Sequence, residues 1–146
     1  MHVTRRPALD SDRAFVERAM RAAYEELVVR VHGAWDAESI ARGFAEKWAA
    51  GGFEIVERGG VAIGALWTSD EGDHLRLREV FLLPEEQGRG VGTALVREEI
   101  ARAHAQGKAL RLRALRANRA AALYRRLGLT ECGDEGEKVW MEIRPA

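Results

Sequence analysis

Cysteine occurs once in the 146-residue chain, as Cys132. A single thiol can close no intrachain disulfide and build no multi-cysteine metal site. His2, His32, His74 and His104 show no metal-ligand spacing either, so no metal is expected. No apolar run approaches the ~20 residues that a membrane-spanning helix needs. The opening MHVTRRPALD has two arginines but no apolar stretch behind them, so no signal peptide is expected and a cytoplasmic address is the default. Charge of one sign is also missing, since Lys+Arg and Asp+Glu both total 23. A balanced chain lacks the field that gathers bulk nucleic acid or an anionic membrane, and neither is expected as a partner. No internal repeat, low-complexity tract or linker interrupts the sequence, and its length suits one domain over residues 1–146.

What is present is the material of a packed core: 47% of residues are hydrophobic and 32% charged, both spread along the chain. Val3 to Arg6 reads as a short edge strand ending at Pro7. Asp10 or Ser11 can cap a helix with Val16, Met20, Ala23 and Leu27 at helical spacing. Asp36 can cap a second, with Ile40, Phe44 and Trp48 on one face and Gly51-Gly52 as its stop. FEIVER and VAIGALW flank Gly59-Gly60 as a tight hairpin. HLRLREVFLL is a third strand of this run, ended by Pro84. Residues 93–106 read as a helix with Val96, Ile100 and Ala103 inward. ALRLRAL alternates as a strand, and Asn118 can cap a helix closed by Gly128. A last hairpin, roughly 129–132 and 137–143, turns through GDEG. The order β-α-α-β-β-β-α-β-α-β-β implies a mixed α/β (α+β) domain: a largely antiparallel sheet, helices on both faces, and one parallel crossover.

That crossover contains QGRGVG, residues 87–92. Glycines this dense mean a sharp backbone turn or close approach of a ligand. A strand, a short glycine-rich turn and a helix N-terminus together make a natural phosphate seat. Two familiar cradles fail here. The dinucleotide fingerprint G-x-G-x-x-G/A meets Thr93 or Leu95 in its third slot, and the chain has no Gly-Lys-[Ser/Thr] for a P-loop. Gln87, Gly90 and Gly92 do satisfy Q-x-x-G-x-G.

LLPEEQGRGVGTALV resembles the acetyl-CoA-binding segment of the GNAT superfamily of N-acetyltransferases. A second signature follows some thirty residues on: Asn118, Ala122, Tyr124 and RRLGL match an Asn-capped helix bearing a tyrosine. Leu129 stands where that family more often has an aromatic residue. The element order from about residue 53 to 143 also agrees.

The resemblance implies acetyl-CoA as co-substrate and direct attack of a primary amine on its thioester. Amides from Gly88, Arg89, Gly90, Val91, Gly92 and Thr93 would converge on the pyrophosphate, with Gln87 opening the motif. Arg89 would meet phosphate at the rim or stay solvated. Backbone groups of Phe81, Leu82 and Leu83 would pair with the pantetheine arm. Asn118 would face the arm, cap its helix, or both. Tyr124 would give a proton to the leaving sulfur, its phenol pKa near ~10 being close to that of an alkyl thiol; otherwise it is a packed tyrosine.

Glu79 shares a strand face with Leu75, Leu77, Phe81 and Leu83. A carboxylate among apolar neighbours can act as a base near neutrality, and the resemblance points to a glutamate on this strand; the plain alternative is a Glu paired with an arginine. His74 and Glu26 are weaker candidates. The family places acceptor-binding helices in about residues 1–50, where Tyr24, Glu25, Glu26, His32 and Trp35 can line a pocket, and residues 53–143 form its cofactor-binding core. The acceptor amine is left undefined, and a homodimer is left open. A non-catalytic acyl-CoA-binding sensor would keep the glycine cradle without depending on Tyr124. The arginines at 111, 113, 116, 119, 125 and 126 read as a solvated face rather than an RNA-binding stretch. Cys132 reads as a small core or loop residue.

Overall fold

The computed structural model describes residues 2–146. Its strands and helices follow the expected order: β1 (Val3–Pro7), α1 (Arg13–His32), α2 (Ala37–Ala50), β2 (Phe53–Arg58), β3 (Val61–Asp70), β4 (His74–Leu82), α3 (Val91–Ala105), β5 (Ala109–Leu115), α4 (Ala120–Arg126), β6 (Thr130–Glu135) and β7 (Lys138–Ile143). The sheet has seven strands in the order β1-β2-β3-β4-β5-β7-β6. The β1/β2, β2/β3, β5/β7 and β6/β7 pairs are antiparallel. The β4/β5 pair is parallel, and its register runs from His74↔Ala109 only as far as Leu77↔Leu112. Parallel neighbours need a crossover connection, usually a helix, and α3 supplies it here.

Backbone contacts divide the chain into two compact units, Met1–Trp67 with Glu79–Arg89, and Thr68–Arg78 with Gly90–Ala146. The first unit has an aromatic core. Asp36 starts α2 by accepting the Ser39 N–H at 3.1 Å, the N-cap contact that satisfies an orphan amide. That start sets Ile40, Phe44 and Trp48 one above another, packed with Val16 and Met20 of α1 and with Phe53, Trp67 and Phe81 of the strands. Ring centroids lie 5.3 Å apart for Phe53–Trp67 and 5.7 Å for Trp48–Phe53.

The second unit has an aliphatic core. Leu75 and Leu77 of β4, Leu110 and Leu112 of β5, Val139 and Met141 of β7, and Leu95 and Val96 of α3 are all buried. Glu99 joins that inward stripe of α3 at 1% exposure, with Arg102 Nε 3.1 Å from its carboxylate. Of the residues expected inward, Val96 and Ala103 are buried and Ile100 is half-buried, while Glu99 was not expected there. Positions 95, 96, 99 and 103 nonetheless form one helical stripe.

Several boundaries differ from expectation: β3 runs on past VAIGALW to Asp70, and α1 starts behind Asp12 instead of Asp10 or Ser11. α3 begins at Val91, not near Thr93, because Gly90 is its N-cap in the left-handed region and the helix starts at once behind it. The last hairpin turns at Gly136-Glu137, not through GDEG. Gly133 and Glu135 pair with Trp140 and Lys138 as strand residues, past a register shift between Glu131 and Gly133. The Asp134 side chain accepts the Gly136 N–H at 2.8 Å, which explains the later turn.

Candidate functional site

The stretch from Glu79 to Leu83 lies beyond the last β4/β5 pairing, so its backbone needs other partners. Several come from within the first unit. The Tyr24 hydroxyl of α1 donates to the Val80 carbonyl at 3.0 Å, and its ring meets Phe81 edge-on at 5.8 Å. The Gln87 side-chain amide donates to the Leu82 carbonyl at 3.0 Å. The Leu83 N–H donates to the Ile63 carbonyl at 2.9 Å. Two of the backbone groups expected at Phe81, Leu82 and Leu83 for an added ligand strand are therefore already bonded. Gln87, expected among the ligand-binding residues, braces the turn with its side chain.

Close approach of β3 explains one glycine here. A Cβ on Gly64 would lie 2.3 Å from the Phe81 carbonyl oxygen and 2.8 Å from Leu82 Cδ2.

Pro84–Glu86 forms a single 3-10 turn, and Glu86 in it receives Arg58 Nε at 2.9 Å. Arg89 stands 4.0 Å from the same carboxylate with 58% of its side chain exposed. Gly88 and Gly90 then take φ of 76° and 82°, values that a side chain with a Cβ adopts only under strain. A Cβ at either would meet no protein atom within 4 Å; backbone conformation alone keeps a side chain out. The Ala94 N–H closes the first helical bond on the Gly90 carbonyl at 3.0 Å. The amides of Val91, Gly92 and Thr93 therefore have no partner inside α3. They sit at the positive end of a helix of 15 residues, where anions are favoured.

In the second unit Asn118, one residue before the N-cap Arg119, bonds the start of α4 twice. Its Oδ1 accepts the Ala120 N–H at 2.9 Å and its carbonyl accepts the Ala121 N–H at 3.0 Å. Tyr124 lies one turn further along, 7% exposed.

Glu79 is half-buried, but its carboxylate does not stand among apolar side chains alone. Lys47 Nζ of α2 donates to Glu79 Oε1 at 2.6 Å, so the partner is a lysine and not the arginine weighed from sequence. The pair spans 32 positions and no local pattern announces it. Among the residues expected to line an acceptor pocket, Glu25 is bonded to Arg21 at 3.0 Å, whose guanidinium lies 5.4 Å from the centroid of Trp35. Glu26 and His32 are exposed. The arginines of β5 and its exit loop are matched by carboxylates: Arg111 to Glu142, Arg113 to Glu135, and Arg116 to both Glu131 and Asp134. Cys132 is exposed, yet partial desolvation by its neighbours, with the Glu142 charge adding to it, raises the thiol above its ordinary pKa; a protonated thiol is a poor nucleophile. Among the described residues no group of three or more His, Cys, Asp or Glu is placed to hold a metal ion, and no helix is long and apolar enough to cross a membrane.

Residues 49–131 match the acetyltransferase (GNAT) domain model. The chain belongs to the GNAT family. That match takes in both the glycine turn and α4. Among solved structures, the GNAT chain resembles PH1933 from Pyrococcus horikoshii OT3, with a TM-score of 0.80 at 16% identity over 99% of each chain. It resembles the PaiA N-acetyltransferase of Thermoplasma acidophilum, solved in complex with coenzyme A, with a TM-score of 0.73 at 19% identity over 99% of each chain. It also resembles the ribosomal-protein-S18-alanine N-acetyltransferase of Escherichia coli, with a TM-score of 0.71 at 19% identity, covering 98% of this chain and 94% of that one. At these identities the likeness concerns the fold. No curated protein has significant sequence similarity to this GNAT chain.

Proposed function

We propose that the chain, as one acetyltransferase domain, transfers an acetyl group from acetyl-CoA to a primary amine by direct attack. The observation that carries this reading is the turn at Gly88–Gly90, left-handed at both glycines and opening straight into α3. A bare backbone with three helix-end amides fits a pyrophosphate. The family membership and the CoA complex of the Thermoplasma relative support it. When bound, acetyl-CoA supplies the acyl thioester; the remaining work falls to the chain's own residues.

The amides of Val91, Gly92 and Thr93 would hold the diphosphate, with Gly88 and Gly90 leaving their approach clear. Arg89, largely exposed, would meet phosphate from the rim. Backbone groups of Phe81–Leu83 outside the bonds to Gln87 and Ile63 would pair with the amides of the pantetheine arm. Asn118 has its Oδ1 committed to Ala120, so its side-chain nitrogen would donate to that arm. The Tyr124 hydroxyl would hand its proton to the departing sulfur. Glu79 would accept the proton of the amine, directly or through water. Residues 1–50 would supply the acceptor side.

A thiol-release assay with acetyl-CoA and a panel of primary amines tests the proposal. Wild type should turn over at least one amine, and Tyr124→Phe should lower kcat by about 100-fold, the lower end for one general acid, with CoA affinity kept. CoA binding without turnover on any amine would make the protein an acyl-CoA sensor instead. Absence of CoA binding would end both readings.

A further inference from the structure

We infer that Glu79 is the seat of the acceptor's ammonium group, and that Lys47 fills this seat as an internal competitor until an acceptor displaces it. The inference rests on the N-acetyltransferase reading and deepens it by naming Lys47 as a residue that governs access to Glu79.

The contact itself shows what Glu79 can hold. Lys47 Nζ sits 2.6 Å from Glu79 Oε1, and a lysine side chain ends in an alkylammonium, the group that an unbranched primary amine carries near neutrality. The two partners are unequally placed. The Glu79 side chain is 13% exposed and that of Lys47 45%. The carboxylate is fixed on β4 and mostly covered. The ammonium is strongly hydrated, rides on a flexible four-carbon stem from the last turn of α2, and can move into water at small cost.

Exchange is therefore one-sided: the acid stays and the cation can be replaced. A replacement must bring its own positive charge, or the half-buried carboxylate loses its counterion, which is costly. Neutral amides and alcohols do not meet that requirement. Lys47 is thus a specificity-determining residue that sets the threshold an acceptor has to pass.

Isothermal titration of 1,4-diaminobutane and its neutral analogue 1,4-butanediol tests this, using wild type, Lys47→Met, Lys47→Arg, Glu79→Gln and the Lys47→Met/Glu79→Gln double variant, all with coenzyme A present. Lys47→Met should bind the diamine about three- to fivefold more tightly, the range released when an exposed ion pair no longer competes. Lys47→Arg should bind as wild type does. Butanediol should not distinguish the proteins, and the Glu79→Gln double variant should lose the gain. Equal or weaker diamine binding by Lys47→Met, absence of binding in both proteins included, overturns the inference. Titrating coenzyme A alone into the same proteins separates the two ideas. Failure to bind it sinks the acetyltransferase reading, whereas retained coenzyme A binding without a gain in Lys47→Met sinks only the competitor.

Discussion

The two units hold themselves together in different ways. In the first, Phe44, Trp48, Phe53 and Trp67 form a chain of ring contacts with centroids 5.3 to 6.3 Å apart. In the second, the buried apolar side chains of the sheet are Leu, Val and Met. Rings have a preferred mutual geometry, so an aromatic core is particular about shape as well as volume. Aliphatic residues of similar volume substitute for one another more freely. The first unit should therefore be the less tolerant of substitution. In the second, Asn118 and Tyr124 sit on a scaffold that absorbs small changes.

The largest effect that would sharpen this contrast is expected at Gly64. Valine there forces the Phe81 carbonyl or β3 itself to move, and the loss should exceed about 3 kcal/mol. Chemical denaturation reads it directly; near-wild-type stability would show that β3 can yield.

Next comes a matched pair in the cores. Phe44→Leu loses its contacts with Trp48 and Phe53 and should cost about 2 kcal/mol, while Leu112→Met should cost less than about 1.5. Reversed order in urea melts would break the comparison.

Gly90→Val reports on function more than on folding. A β-branched residue cannot hold a φ of 82° without strain, so the first amides of α3 should shift. Coenzyme A should then bind about tenfold more weakly; unchanged affinity would place the diphosphate elsewhere.

The smallest effect is electrostatic. The Arg6 side chain bonds Asp12 at 2.8 and 3.0 Å and holds its carboxyl below the ordinary pKa, against the opposing pull of burial and with help from the Leu9 N–H. A lowered acid stabilises the fold above its unfolded value and stops doing so as pH falls through the folded one. Wild type should thus be more stable than Asp12→Asn at pH 7 by about 1 kcal/mol or less. The gap should close below about pH 4, as followed by thermal melts across pH. A gap that stays constant would assign the stabilisation to packing.

Much of this was legible in the sequence. The element order is fully readable, because hydrophobic period, caps and glycine punctuation agree from one segment to the next. Asp36 caps where its chemistry says it should, whereas Asn118 falls one residue short of the cap position, which Arg119 takes. Boundaries beside glycines were less accessible. Gly90 and Gly92 read alike in sequence, yet one ends a turn in the left-handed region and the other lies inside the first turn of α3. The strand character of Gly133 and Glu135 depends on β7 pairing across from them, information that no local window holds. Glu79 shows the limit best. Alternation correctly put it on β4, but its neighbour Lys47 lies 32 positions away on a helix, and only the tertiary fold brings the two together. The Tyr24 contact with Val80, 56 positions away, escaped for the same reason, whereas that of Gln87 with Leu82 is local and depends on the turn between them.

Those two contacts have a bearing on solubility. Val80 and Leu82 are two residues apart, so their carbonyls face the same edge of β4. Beyond Leu77 that edge is no longer paired with β5. Exposed rows of carbonyls invite strands from other molecules, the first step toward aggregation. Here a tyrosine hydroxyl and a glutamine amide already occupy both acceptors. A foreign strand arriving at this edge finds both carbonyls already engaged and so gains less from pairing there.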